Sequence, residues 1–263
     1  MTGPAANSGP PAIAMRDLSV GAMKDPRLTV AENVNWTVNT GEFWLVAGAQ
    51  LSGKSDFLMM TAGLMSPARG TYRFFDGEMP IFEEERLSER LRLGLVFEGG
   101  RLFNRLTVAE NVALPLRYHK DRVGAEVSTR LAAMLEMTGL TPMADRTPGS
   151  LARNWQRRAG LARALALQPE VLLLDNPIVG LDARHSDWWL DFLGRLARGQ
   201  TALNSRPMTI VATTDEPGAW RGHAQHVACL VEKRLLVLGG WPEADQCRAP
   251  GVQDLLSGKA GGN

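Results

Sequence analysis

The alternation of apolar and polar positions starts at Ile13. IAMRDLSV (13–20) and LTVAENVNWTV (28–38) each read as strands with one buried face, and Asn39-Thr40-Gly41 turns the chain into FWLVAG (43–48). That last run is apolar on both faces, as a strand inside a sheet must be. A Gly-containing loop leads to a helix predicted over Ser55–Met65, closed by Ser66-Pro67-Ala68-Arg69-Gly70. TYRFFDG (71–77) and LRLGLVFE (91–98) read as strands, and Leu106–Leu140 is mostly helical in its spacing. After Pro148-Gly149 come a helix through RRAGLARALAL, the buried strand VLLLD (171–175) and the amphipathic helix DARHSDWWLDFLGRLARG. MTIVATT (208–214) is a third buried strand, and ACLVEKRLLVLGG (228–240) has the form of a hairpin. Apolar strands alternating with helices predict an α/β fold whose parallel sheet is covered on both faces. No internal repeat interrupts this order.

Length and charge narrow the class. The 263 residues suit one large α/β domain or two modest ones and are enough to bury a core. Residues 1–12, rich in Pro, Gly, Ala and Ser, and residues 259–263 are expected to be flexible tails around one domain spanning 13–258. With 29 Lys+Arg against 28 Asp+Glu the net charge is +1, without the basic excess that broad nucleic-acid binding uses. No apolar run approaches the ~20 residues of a membrane helix, and MTGPAANSGPPAIAMRD lacks the pattern of a secretory signal. Two cysteines, Cys229 and Cys247, read as reduced thiols and not as a disulfide framework. A soluble cytosolic protein is expected.

Chemistry enters at Gly48-Ala49-Gln50-Leu51-Ser52-Gly53-Lys54-Ser55, which matches G-x-x-x-x-G-K-[ST] between a buried strand and a helix. Backbone N–H groups of such a loop, with the helix N-terminus behind them, form an anion nest. Lys54 is then placed for β/γ-phosphates and Ser55 for Mg²⁺.

Read in order, the chain resembles the nucleotide-binding subunit of an ABC transporter over almost its whole length. GEFWLVAGAQLSGKS is similar to the family's first core strand and Walker A loop, and LGLVFEGGRLFNRLTVAENVALPL stands at the Q-loop and the start of the helical subdomain. SLARNWQRRAGLARALALQPEVLLLDNPIVGLD corresponds to the signature, its helix, Walker B and the D-loop with Asp182, and TIVATTDEPGAW falls at the H-loop. RLFNRLTVAENVALPL and the C-terminal PGVQDLLSG resemble the Mce/Mla-type lipid-transport branch. The resemblance implies a P-loop NTPase (RecA-like) core, an antiparallel β subdomain and an inserted helical subdomain at roughly 100–160. It implies ATP and Mg²⁺ as ligands, with Ser55, Asp175 and Glu98 as candidate metal-side oxygens. It also implies a second ABC subunit, in a homo- or heterodimer, and an integral membrane permease that holds the chain at the inner face of the membrane.

Several positions depart from the family. Asn176 follows Asp175 where the family has the glutamate that acts as general base, and an amide cannot take a proton from water. Thr214 replaces the H-loop histidine, and Glu98 the Q-loop glutamine. Leu151-Ala152-Arg153-Asn154 stands for Leu-Ser-Gly-Gly, so the hydroxyl and the close backbone approach of glycine are both lost. Arg153 either reaches a phosphate or faces a partner. Leu51 replaces a small residue, and Asp56, in the helix's first turn, sits where it would repel an α-phosphate. No Tyr or Phe occurs around Ser19–Met23, where the family stacks adenine. Gln156-Arg157-Arg158 is expected on the solvated side of its helix, and Trp155 is a candidate partner-facing residue. Phe103, Leu106, Val108 and Leu114 are the apolar residues available to a permease, with Val108 and Leu114 also suited to the core.

Three readings follow from this pattern. The first is an ABC subunit impaired in hydrolysis; the second is a competent transport ATPase; the third is a scaffold that has kept the fold without the nucleotide.

Overall fold

The computed structural model describes residues 10–79, 84–119, 124–200 and 206–258. Its strands are β1 (Ile13–Gly21), β2 (Thr29–Val38), β3 (Phe43–Ala47), β4 (Arg69–Phe74), β5 (Gly77–Glu78), β6 (Leu93–Val96), β7 (Val171–Leu174), β8 (Thr209–Thr214), β9 (His226–Val231) and β10 (Arg234–Gly239). The α-helices are α1 (Lys54–Thr61), α2 (Leu87–Arg90), α3 (Val108–His119), α4 (Ala125–Met137), α5 (Arg153–Leu165), α6 (Ala183–Ala197), α7 (Trp241–Gln246) and α8 (Val252–Leu256).

The strands form one sheet in the order β5-β4-β1-β2-β10-β9-β3-β8-β7-β6. Strands β9, β3, β8, β7 and β6 run parallel. β5-β4-β1-β2 are antiparallel, and β10 pairs antiparallel with β9. This is the mainly parallel core sheet with an antiparallel β subdomain that the family resemblance implied. β1 and β2 carry polar residues on one face, which only the antiparallel wing tolerates, whereas β3, β7 and β8 are buried throughout.

Alternation along β3 divides the core. Phe43 and Leu45 point into a cluster shared with α3, α5 and α6, while Trp44 and Val46 face α1 and the antiparallel wing. Ala47, Val227 and Cys229 pack with Ala244, Val252, Leu255 and Leu256 of the two short C-terminal helices. Burial lifts the Cys229 thiol to about 12 and keeps it an inert core residue.

Helix α1 ends at Thr61, short of the predicted Met65, because Gly63 adopts φ 72 and closes a Schellman cap. The Leu64 amide donates to Met59 O at 3.0 Å and the Gly63 amide to Met60 O at 2.9 Å. The helical stretch after Leu106 becomes two helices, with residues 120–123 lying outside the described ones. α3 starts on a capping box in which Thr107 and Glu110 exchange side-chain-to-backbone bonds of 2.7 and 3.2 Å.

α5 meets the loop after β6 at its closest point. Gly160 lies so near Gly100 that a Cβ on residue 160 would sit 2.8 Å from Gly100 Cα and 2.9 Å from its carbonyl oxygen. Gly100 itself has φ 74, and a Cβ there would meet Gln156 O at 2.4 Å. Arg163 straps the contact from the far side, donating to Gly100 O at 2.9 Å and Arg101 O at 3.0 Å. Gly160→Ala is therefore expected to destabilise the protein by ~1–3 kcal/mol in urea unfolding, as backbone overpacking does. Gly149→Ala, whose Cβ would meet nothing within 4 Å, is the control expected to change stability by less than ~0.5 kcal/mol.

Candidate nucleotide site

Three parallel strands end side by side and bring the candidate residues together. The loop after β3 carries Gly48 to Ser55, the end of β7 carries Asp175, and the end of β8 carries Thr213 and Thr214. The Gly48 amide donates to Thr214 O at 3.0 Å, tying the loop's first residue to β8. Gly53 caps α1 at φ 92, a left-handed conformation that glycine adopts without strain. A Cβ there would also strike Val30 at 2.6 Å. Leu51 takes φ 60 at the tip of the loop and is fully exposed, at 104%.

Lys54 is buried and folds back into its own loop. Its Nζ donates to Gly48 O and Ala49 O, both at 2.7 Å. Burial pulls the ammonium below the usual lysine range, opposed by the carboxylates of Asp215, Asp175 and Glu98. Ser55 Oγ donates to Asp175 Oδ1 at 3.0 Å, and Thr213 Oγ1 donates to the same oxygen at 3.0 Å. Burial pushes the Asp175 carboxyl up, while these two hydroxyls, Lys54 and Arg101 act to keep it ionised.

Sequence positions flagged as departures are seated here too. Asn176 follows Asp175 with φ 43, a left-handed conformation that Asn tolerates better than most residues. Its backbone amide donates to Thr213 Oγ1 at 3.0 Å, while its Oδ1 is buried with no hydrogen-bond partner among the described residues. The Thr214 hydroxyl is spent locally, accepting from the Glu216 amide at 3.1 Å. Glu98 is exposed, and its carbonyl, not its carboxylate, makes the defined contact. Asp56 Oδ1 accepts from the Met23 amide at 2.9 Å, so its carboxylate is held on the β1–β2 loop.

The signature segment lies apart from these groups, at the start of α5. Leu151 is buried, while Ala152 and Arg153 are exposed. Ala152 is the N-cap and offers no side-chain acceptor, and the first turn holds no acidic residue. Asp182 caps α6 instead, accepting from the His185 amide at 3.0 Å and meeting His185 Nδ1 at 2.7 Å.

The run Gln156-Arg157-Arg158 does not form a solvated face. Arg157 and Arg158 are only 7% and 6% exposed. Arg157 donates to Glu98 O and Val179 O, both at 2.6 Å, and to Pro177 O at 3.3 Å, joining the loop after β6 to the loop after β7. Gln156 Nε2 donates to Pro148 O and Leu151 O. The Arg158 guanidinium stacks 3.6 Å over Trp188 and 4.7 Å over Trp155, and burial draws it down to about 10. The signal was present in the sequence, since Arg157 lies one turn before the buried Leu161 and shares its stripe. Trp155 is partly buried, edge-on to His185 at 6.1 Å, and Trp189 is wholly core while Trp188 stacks on Phe192. Sequence reasoning also missed Asp215, the carboxylate that acts most strongly on Lys54, although it directly follows β8.

Phe103, after the loop of Glu98, is 57% exposed, whereas Val108 is core. Buried Asn111 shapes that loop, accepting from the Phe103 amide at 2.8 Å and donating to the carbonyls of Phe103, Leu106 and Thr107. Among the described residues, no helix is long and apolar enough to cross a membrane.

Comparison with known proteins agrees with this geometry. Residues 31–179 match the family model described as ABC transporter. The intermembrane phospholipid transport system ATP-binding protein MlaF of Escherichia coli is 30% identical over 236 residues, 89% of this chain and 85% of that protein. The methionine import ATP-binding protein MetN of Caulobacter vibrioides is 34% identical over 211 residues, 80% of this chain and 61% of its own length. Among solved structures, an ATP-binding cassette in a dimeric post-hydrolysis state bound to ADP and Pi is similar with a TM-score of 0.74 at 25% identity. The match covers 85% of this chain and 96% of that one. The chain belongs to the ABC transporter family, as an ATP-binding subunit.

Proposed function

We propose that this chain is the cassette subunit of a lipid-transport system that binds Mg-ATP and hydrolyses it very slowly or not at all. The observation that carries the proposal is the contrast between neighbours at the end of β7. Asp175 keeps its place against Ser55, while the next residue is an amide with an unpartnered oxygen.

The residues fit the ligands. Lys54 contacts carbonyls of the loop that would cradle phosphates, and its ammonium would meet a β/γ-phosphate bound there. Ser55 Oγ and Asp175 Oδ1 form an all-oxygen pair of the kind Mg²⁺ accepts alongside phosphate oxygens. When bound, the metal would neutralise phosphate charge. Asn176 can orient a water through its amide but cannot deprotonate it, a loss of typically ~10²–10⁴ in rate. The Thr214 hydroxyl caps its own turn, and Ala152 offers no hydroxyl to a partner's site. In a homodimer both sites would lack the base and the signature hydroxyl. In a heterodimer each site would lack one of them.

Lipid as cargo is supported by the likeness to MlaF, whose name states phospholipid transport. Attachment to the inner face of the membrane follows from docking on a permease, with residues 13–258 acting as one unit. Phe103 is the apolar side chain best placed for that contact, because Asn111 fixes its loop and leaves the ring exposed.

Thermal unfolding with and without Mg-ATP tests the nucleotide. At 100 times Kd the wild type is expected to gain ~2.7 kcal/mol, and Lys54→Ala to gain none. An absent shift in the wild type would return the protein to the scaffold reading. Phe103→Asp is expected to leave the melting temperature within a degree or two and to abolish co-purification with the membrane subunit. Unchanged co-purification would rule out that contact.

A further inference from the structure

Resting on the nucleotide-binding reading, we propose that Asp56 acts as a built-in anionic competitor for the phosphate cradle. Held on the Met23 amide, its carboxylate sets the loop's affinity for polyphosphate. Three observations combine. First, Asp56 lies in the first turn of α1, whose N-terminal amides and preceding loop form the anion nest, so its charge occupies the field that a phosphate would use. Second, the carboxylate is fixed there. Its Oδ1 accepts from Met23, thirty-three residues away, at 2.9 Å, and the side chain is partly buried. Third, Lys54 is committed elsewhere. Its ammonium is bonded to Gly48 O and Ala49 O, and the carboxylates acting on it are those of Asp215, Asp175 and Glu98.

Like charges at close range repel. A triphosphate entering the nest must therefore approach a carboxylate that cannot retreat without breaking its bond to the β1–β2 loop. The same bond positions Met23, 47% exposed on that loop, so the anion and the order of the loop are coupled. The physical consequence is a site whose affinity for polyphosphate is weakened by a removable charge, with the fold left intact.

Asp56→Asn removes the charge but keeps an Oδ1 acceptor for Met23, Asp56→Thr removes both charge and length, and Asp56→Ala removes charge and bond. Binding of a fluorescent ATP analogue with Mg²⁺ is measured on the full chain, together with hydrogen exchange of the peptide containing Met23. The expected result is at least tenfold tighter binding by both the Asn and Thr variants, with Met23 protection retained in the Asn variant. The gain should shrink as salt rises from about 0.05 to 0.5 M, since screening weakens the repulsion. A smaller gain, at any measurable wild-type affinity, overturns the proposal alone. A gain in the Ala variant without one in the Asn variant also overturns it, because the effect would then run through loop mobility. No binding by the wild type or any variant overturns both this proposal and the nucleotide-binding reading.

Discussion

The constraint on which the site depends is the satisfaction of one buried carboxylate. Asp175 directly follows a strand whose every residue is buried and is itself buried, where an unpaired charge would be expensive. Burial raises its pKa, and two hydroxyls and a nearby ammonium oppose that rise, one hydroxyl from α1 and one from β8. To provide them, the phosphate loop must close against β7 and β8 in a single register. Parallel pairing of β3, β8 and β7 sets that register residue by residue, from Phe43 opposite Ile210 to Leu174 opposite Ala212. The binding half of the cassette is thus preserved by the same interactions that stabilise its core.

The start of α5 is braced against its own subunit. Where the family has a signature aimed at a partner's nucleotide, α5 begins with an uncapped alanine and sends Arg157 back into its own subunit. That guanidinium joins the loop of Glu98 to the loop that leads to Asp182, and Gly160 and Arg163 pack the same seam. Deleting it would leave three carbonyls without their donor, so the arginine has a structural reason to be retained whatever the rate of catalysis.

Much of this was legible in the sequence. Strands β3, β7 and β8 are runs of apolar residues on both faces, and only a covered parallel sheet buries such runs. The loop Gly48–Ser55 was recognisable because each of its residue types has a mechanical reason. What escaped notice lacked a local signal. α7 and α8 are six and five residues long, too short to display a helical period, and owe their form to packing on β3 and β9. Arg157 and Arg158 were placed in solvent by composition, although periodicity set them on the buried stripe, because charge outweighed position in the reading. Asp56 was placed correctly in the first turn of its helix, but its bond to Met23 spans thirty-three residues, which no spacing rule reveals.

On the proposed reading, nucleotide binding and hydrolysis are separated in this chain. Phosphate release from Mg-ATP by the purified protein, measured at steady state, tests it most directly. The expected rate is at least a hundredfold below the ~10 s⁻¹ typical of enzymes and unchanged by Lys54→Ala. Turnover near that typical value, abolished by Lys54→Ala, would contradict the account.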